Sequence, residues 1–117
     1  MEFRKVTAIV DSGKLAEVEE QLQRAGVSGI TVTRSRGYGE RKSPKGMHED
    51  KRVFHMGSLV ERMRIEIFIE SQRAEEIARL IMETAHTGLP GDGLVVIEPV
   101  ETVFRIRSRT IATVEDL

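Results

Sequence analysis

Arg62-Met63-Arg64-Ile65-Glu66-Ile67-Phe68-Ile69-Glu70 alternates side-chain character along its whole length, with Met63, Ile65, Ile67 and Ile69 on one side. A period of two sends successive side chains to opposite faces of an extended chain. The stretch therefore reads as a strand with one face on a core. Its other face carries Arg64, Glu66 and Phe68, a mixture that suits oligomer contacts or solvent.

Downstream, Ala74, Ile77, Ala78, Ile81, Met82 and Ala85 recur at helical spacing. Thr87-Gly88-Leu89-Pro90-Gly91-Asp92-Gly93 follows, then an apolar run read as a strand near Leu94 to Glu98, Pro99, and a short strand around Val103 to Arg107. Upstream, Phe3 to Val10 is rich in β-formers. Asp11 or Ser12 can cap the helix that Leu15, Val18, Leu22 and Ala25 define, and Gly26 ends it. Ile30 to Thr33 opens a strand running toward Gly37, and no sustained period spans Glu40 to Ser58.

The halves echo each other: strand, amphipathic helix, glycine turn, strand. The pattern predicts an α+β fold, a ferredoxin-like βαββαβ sandwich whose helices cover one sheet face. The domain is expected over residues 1–108, with a flexible polar tail over 109–117.

A chain of 117 residues is long enough for one core but not two. Its formal net charge of −1 gives no support to a nucleic-acid footprint, which wants a basic excess. No apolar run approaches the ~20 residues of a membrane span, and Met1 to Val6 lacks a signal peptide's apolar core. Cysteine is absent, which excludes disulfides, thiolate catalysis and Cys-based metal sites. A cytoplasmic protein is the simplest fit.

Three segments can carry binding chemistry. The glycine-rich stretch 87–93 can turn backbone N–H groups inward as an anion cradle, although Gly88 as a helix C′ residue, a Pro90 stop and turn glycines explain it equally well. Gly37-Tyr38-Gly39-Glu40-Arg41-Lys42 can admit a ligand closely or shape a bend. Arg105-Ile106-Arg107 puts two guanidiniums on one strand face, which suits bidentate phosphate contacts or an edge strand guarded by charge. The 40–58 loop carries His48, Glu49, Asp50 and His55, a conceivable set for a divalent transition metal, but mixed charge there needs only solvation. His86 sits at a helix end and suits a dipole contact. No nucleophile elbow, P-loop or metallohydrolase spacing occurs, so the reading is non-enzymatic.

Together these pieces resemble the PII signal-transduction family. The resemblance rests on Gly29-Ile30-Thr31-Val32-Thr33, Gly37-Tyr38-Gly39, Arg64-Ile65-Glu66-Ile67, Thr84-Ala85-His86-Thr87-Gly88 with Gly91-Asp92-Gly93, and Val103-Phe104-Arg105-Ile106-Arg107. It implies a homotrimer with adenine-nucleotide sites between subunits, and a long T-loop (about 40–58) that docks onto a target such as a transporter, channel or enzyme. It also implies that Gly91, Asp92 and Gly93 face the phosphates, with Gly88 in the same loop and Arg105 and Arg107 coming from a neighbour. Gly37, Tyr38 and Gly39 would lie at the T-loop base. Thr31, Phe68 and Thr87 would hold the adenosine, and Arg62 stands where the family usually has a Lys.

The departures set the ligand expectation. Arg41 replaces the Gln of members that sense 2-oxoglutarate, and Leu89 and Leu94 replace two cations. Each charge-assisted phosphate contact is worth roughly 1.5–3 kcal/mol, so ADP or AMP is expected over ATP, with cyclic AMP as a further candidate, and Arg41 offers a cation to a phosphate of the nucleotide or to a small anion such as bicarbonate. The loop contains no tyrosine, which argues against uridylylation. The alternatives are a metal-responsive, CutA-like trimer using His48 and His55, and a weak nucleotide hydrolase.

Overall fold

The computed structural model describes residues 2–38 and 59–113. In chain order these form β1 (Phe3–Asp11), α1 (Leu15–Arg24), β2 (Thr31–Gly37), β3 (Val60–Glu70), α2 (Ala74–Ala85), β4 (Gly93–Val100), β5 (Phe104–Arg105) and β6 (Thr110–Ile111). β1 to β4 make one antiparallel sheet in the order β2-β3-β1-β4. The units β1-α1-β2 and β3-α2-β4 interleave, which is the ferredoxin-like α+β arrangement expected from the internal echo.

Register places the alternation of β3 where a core needs it. Val6 lies opposite Ile67 and Ile97, and Ala8 opposite Ile65 and Val95. Val6, Ala8, Ile65, Ile67 and Val95 meet Val18 and Leu22 of α1 and Ile77, Ala78 and Ile81 of α2, whereas Ile97 stays 41% exposed. Val6, Ile65 and Ile77 are fully buried, and each such side chain contributes about 1.5–3 kcal/mol by leaving water. The opposite sheet face stays open: Phe68 is 44% exposed although Ile67 and Ile69 beside it are buried. Charge is paired there, with Lys5 Nζ 2.8 Å from Glu66 and Arg64 at 3.4 Å from the same carboxylate. The Lys5 contact is the main cause holding the Glu66 carboxyl below its usual range.

Both helices are entered through three-residue 3-10 turns, Ser12–Lys14 and Ser71–Arg73. Asp11 caps the first, its Oδ2 accepting from Gly13 N–H at 2.9 Å. The second has no side-chain cap. Instead Arg73 donates to the Ala25 carbonyl at 2.8 Å and pairs with Glu76, tying the start of α2 to the end of α1. Gly26 (φ +86°) then turns the chain out of α1.

The structure departs from expectation beyond β3. β4 runs through Pro99 rather than stopping before it, because β4 is an edge strand and the missing N–H costs no ladder bond on its free side. The segment expected to be a loose tail pairs with the preceding strand, Phe104 opposite Ile111 and Arg105 opposite Thr110. Ala112 is buried and donates to the Val103 carbonyl at 2.8 Å. Residues 114–117 lie outside the described residues.

Gly93 (φ +103°) opens β4 over the end of β1, where an added Cβ would stand 1.8 Å from the Ile9 carbonyl oxygen. Gly88 (φ +83°) also has positive φ, but the nearest atoms to its added Cβ are the His86 imidazole at 3.7 Å. Gly93→Ala is therefore expected to cost about 3 kcal/mol or more by urea denaturation, and Gly88→Ala about 1–2 kcal/mol. Equal costs would show that the Ile9 contact does not constrain β4.

Candidate functional site

The chain leaves α2 at His86 in extended conformation, with φ −67° and ψ 131°. Gly88 is therefore not the residue that terminates the helix; its positive φ belongs to the loop itself. The loop closes on Asp92. Its carboxylate accepts from Thr87 N–H at 2.9 Å, from Gly88 N–H at 3.0 Å and from the Thr87 hydroxyl. The Thr87 hydroxyl oxygen in turn accepts from Leu89 N–H at 3.2 Å. His86, at the end of α2, has its Nδ1 3.8 Å from the same carboxylate. These contacts, the Thr87 hydroxyl foremost, lower the Asp92 pKa to about 2 from an ordinary 3.8. Asp92 thus clasps the loop from within, with its charge spent on Thr87 and Gly88.

The cation beside the loop comes from β3. Asp11 and Arg62 are cross-strand partners at the end of the sheet. Arg62 Nη1 lies 3.8 Å from Asp11 Oδ1, and Arg62 Nη2 lies 3.4 Å from where a Gly91 Cβ would stand. Gly91 (φ +98°) and the guanidinium therefore face each other across a gap that a side chain would fill. Leu89 and Leu94 are exposed and add no charge.

Register sorts the sequence-predicted residues into two groups. Gly37 pairs with Val60, Ser35 with Arg62, and Gly93 with Val10. Gly37, Tyr38, Arg62, Thr87, Gly88, Gly91, Asp92 and Gly93 thus gather at one end of the sheet. Phe68 stands six residues from Arg62 on β3, about 20 Å along the strand. Beside it a cavity of about 170 Å³ is lined by Phe3, the turn from Gly26 to Gly29, and Arg73. Thr31 opens β2 next to that turn. Arg105 and Arg107 belong to the hairpin that leaves the sheet after Val100, again at the Phe68 end. The expectation that both arginines share a strand face is corrected here: β5 ends at Arg105, and Arg107 lies in the turn before β6. Gly39, Arg41, His48 and His55 lie outside the described residues. The sequence reading named Asp11 only as a helix cap; its place opposite Arg62 comes from long-range register, which no local pattern encodes.

Because the folded pKa of Asp92 is depressed, its ionised form stabilises the fold above the unfolded value near 3.8, and that contribution is lost as pH falls through about 2. The stability gap between the wild type and Asp92→Asn should stay constant above about pH 5 and close toward pH 2. At neutral pH the Thr87 and Gly88 amides of the variant should exchange faster, with Val6 and Ile65 unchanged. A gap that persists to pH 2 would remove the clasp.

Comparison with known proteins identifies the family of this fold. The family model described as nitrogen regulatory protein P-II matches residues 3–110. The chain is 35% identical over 106 residues to the nitrogen regulatory protein P-II of Azospirillum brasilense, covering 91% of this chain and 93% of that protein. It is 37% identical over 107 residues to that of Cyanidium caldarium, covering 92% and 93%. Its fold superposes on the crystal structure of Arabidopsis thaliana PII bound to citrate with a TM-score of 0.76 at 28% identity, covering 95% of this chain and 89% of that one. The chain belongs to the PII family of nitrogen regulatory proteins.

Proposed function

We propose that this chain is a cytoplasmic signalling protein that binds an adenine nucleotide, ADP or AMP in preference to ATP, between the subunits of a homotrimer. The 40–58 loop then carries the ligand state to a target protein such as a transporter, channel or metabolic enzyme. The observation that carries this reading is the division of the predicted site residues between opposite ends of one sheet. Arg62 and the glycine loop hold one half; Phe68, Thr31 and the Arg105/Arg107 hairpin hold the other. About 20 Å of strand separates them, so one mononucleotide meets both only where two copies adjoin. The apolar side chains left in water support that assembly: Leu94 is 57% exposed, Phe104 65% and Ile106 93%. The preference for fewer phosphates follows from Leu89 and Leu94, which offer no cation, and from Asp92, whose carboxylate occupies two loop amides.

Sedimentation equilibrium should return three times the chain mass, and calorimetry should detect AMP or ADP more tightly than ATP. The titrations run with and without bicarbonate and 2-oxoglutarate, and include cyclic AMP. Arg105→Ala and Arg107→Ala should each weaken ADP roughly ten- to a hundredfold, as loss of one charge-assisted contact does. Mixing Arg62→Ala chains with Arg105→Ala/Arg107→Ala chains should restore a fraction of wild-type sites, because a mixed trimer contains an interface with both halves intact. No restoration on mixing would place the site within one chain, and no binding of any adenine nucleotide would end the proposal.

A further inference from the structure

We infer that Asp11 sets the phosphate-charge preference of the glycine-loop site, restricting it to anions of low charge. The inference rests on the nucleotide reading above and goes beyond it by assigning selectivity to a residue outside the loop. Asp11 ends β1 directly across from Arg62. One carboxylate oxygen is taken by Gly13 N–H at 2.9 Å. The other lies 3.8 Å from Arg62 Nη1. The far nitrogen of the same guanidinium, Nη2, rests against Gly91, 3.4 Å from where its Cβ would stand. Arg62 is thus bracketed by Asp11 on one side and the loop on the other, and its side chain is only 18% exposed. An anion seated at Gly91 must share this guanidinium with Asp11 and feels the carboxylate behind it.

That arrangement discriminates by charge. Asp11 cancels part of the pull that Arg62 exerts on every ligand charge, so the affinity it removes grows with the charge of the ligand. The Asp92 carboxylate, on the loop's inner side, adds to the same field. Among the described residues Leu89 and Leu94 supply nothing to offset it. Because the Asp11 side chain is 60% exposed, salt must screen the effect. A residue acting only as a helix cap would show neither charge dependence nor salt dependence.

Asp11→Asn separates the two roles, since Asn caps a helix as well as Asp does but carries no charge. Titrations of AMP, ADP and ATP are run in EDTA, so that no divalent cation neutralises the phosphates, at low and at high salt. Asp11→Asn should tighten ATP about five- to tenfold and AMP only about two- to threefold, and the difference should shrink in high salt. Thermal melts confirm that the variant is folded; Asp11→Ser, a second neutral cap, serves if it is not. Equal change, or no change, across the three nucleotides overturns the inference and leaves the nucleotide reading intact. A wild-type chain that binds none of the three overturns both.

Discussion

Gly93 passes so close to the Ile9 carbonyl that no side chain fits between them, and most of the structure follows from that approach. β4 can begin its ladder with Gly93 opposite Val10 only because the backbone sits there. Once that pairing is set, Val95 falls opposite Ala8 and packs against the core that α1 and α2 cover. The same pairing throws residues 87–92 across the ends of β1 and β3, where Arg62 stands. Core register and site geometry therefore share one steric constraint, and the glycine that satisfies it serves both.

Electrostatics at the loop run against first intuition. Glycine-rich loops bind anions by converging free N–H groups on them, yet here Asp92 takes the Thr87 and Gly88 amides for itself. The result is a loop closed on its own carboxylate. Such a loop supplies shape rather than charge. The attractive field has to come from side chains brought to it, and within the described residues of one chain the cation against the loop is Arg62. In the proposed trimer, this division of labour would make affinity depend on strand register and on neighbouring copies more than on the loop sequence.

What the sequence disclosed and what it hid divide along a physical line. The period of two in β3 and the helical spacing of α2 are local consequences of burial on one face, so both elements were legible. The paired 3-10 turns before α1 and α2 extend the internal echo to the level of backbone conformation. Pro99 misled because a proline reads as a stop unless its strand is known to lie at an edge. β6 was invisible because two residues of strand leave no period to detect. Gly88 looked like a helix terminator until His86 was found already extended. The site residues were named mostly through resemblance, and their separation into two ends required the register. The contact of Arg62 with both Asp11 and Gly91 joins β1, β3 and the loop, a coincidence in space with no signature along the chain.

The hairpin that presents Arg105 and Arg107 ties binding to assembly. Two strands of two residues are marginal in water by themselves, and Phe104, Ile106 and Ile111 stand mostly in solvent on a single chain. Ala112 at its end is buried and bonds back to Val103 at its start, closing the hairpin on itself. A hairpin built this way gains order when its apolar side chains are covered by another copy, and the two guanidiniums gain fixed positions at the same moment. Ligand that bridges those arginines to a neighbour's glycine loop must in turn favour the assembled state, since binding and association are linked by mass action. In the proposed trimer the nucleotide is therefore both the signal and part of the interface that reads it.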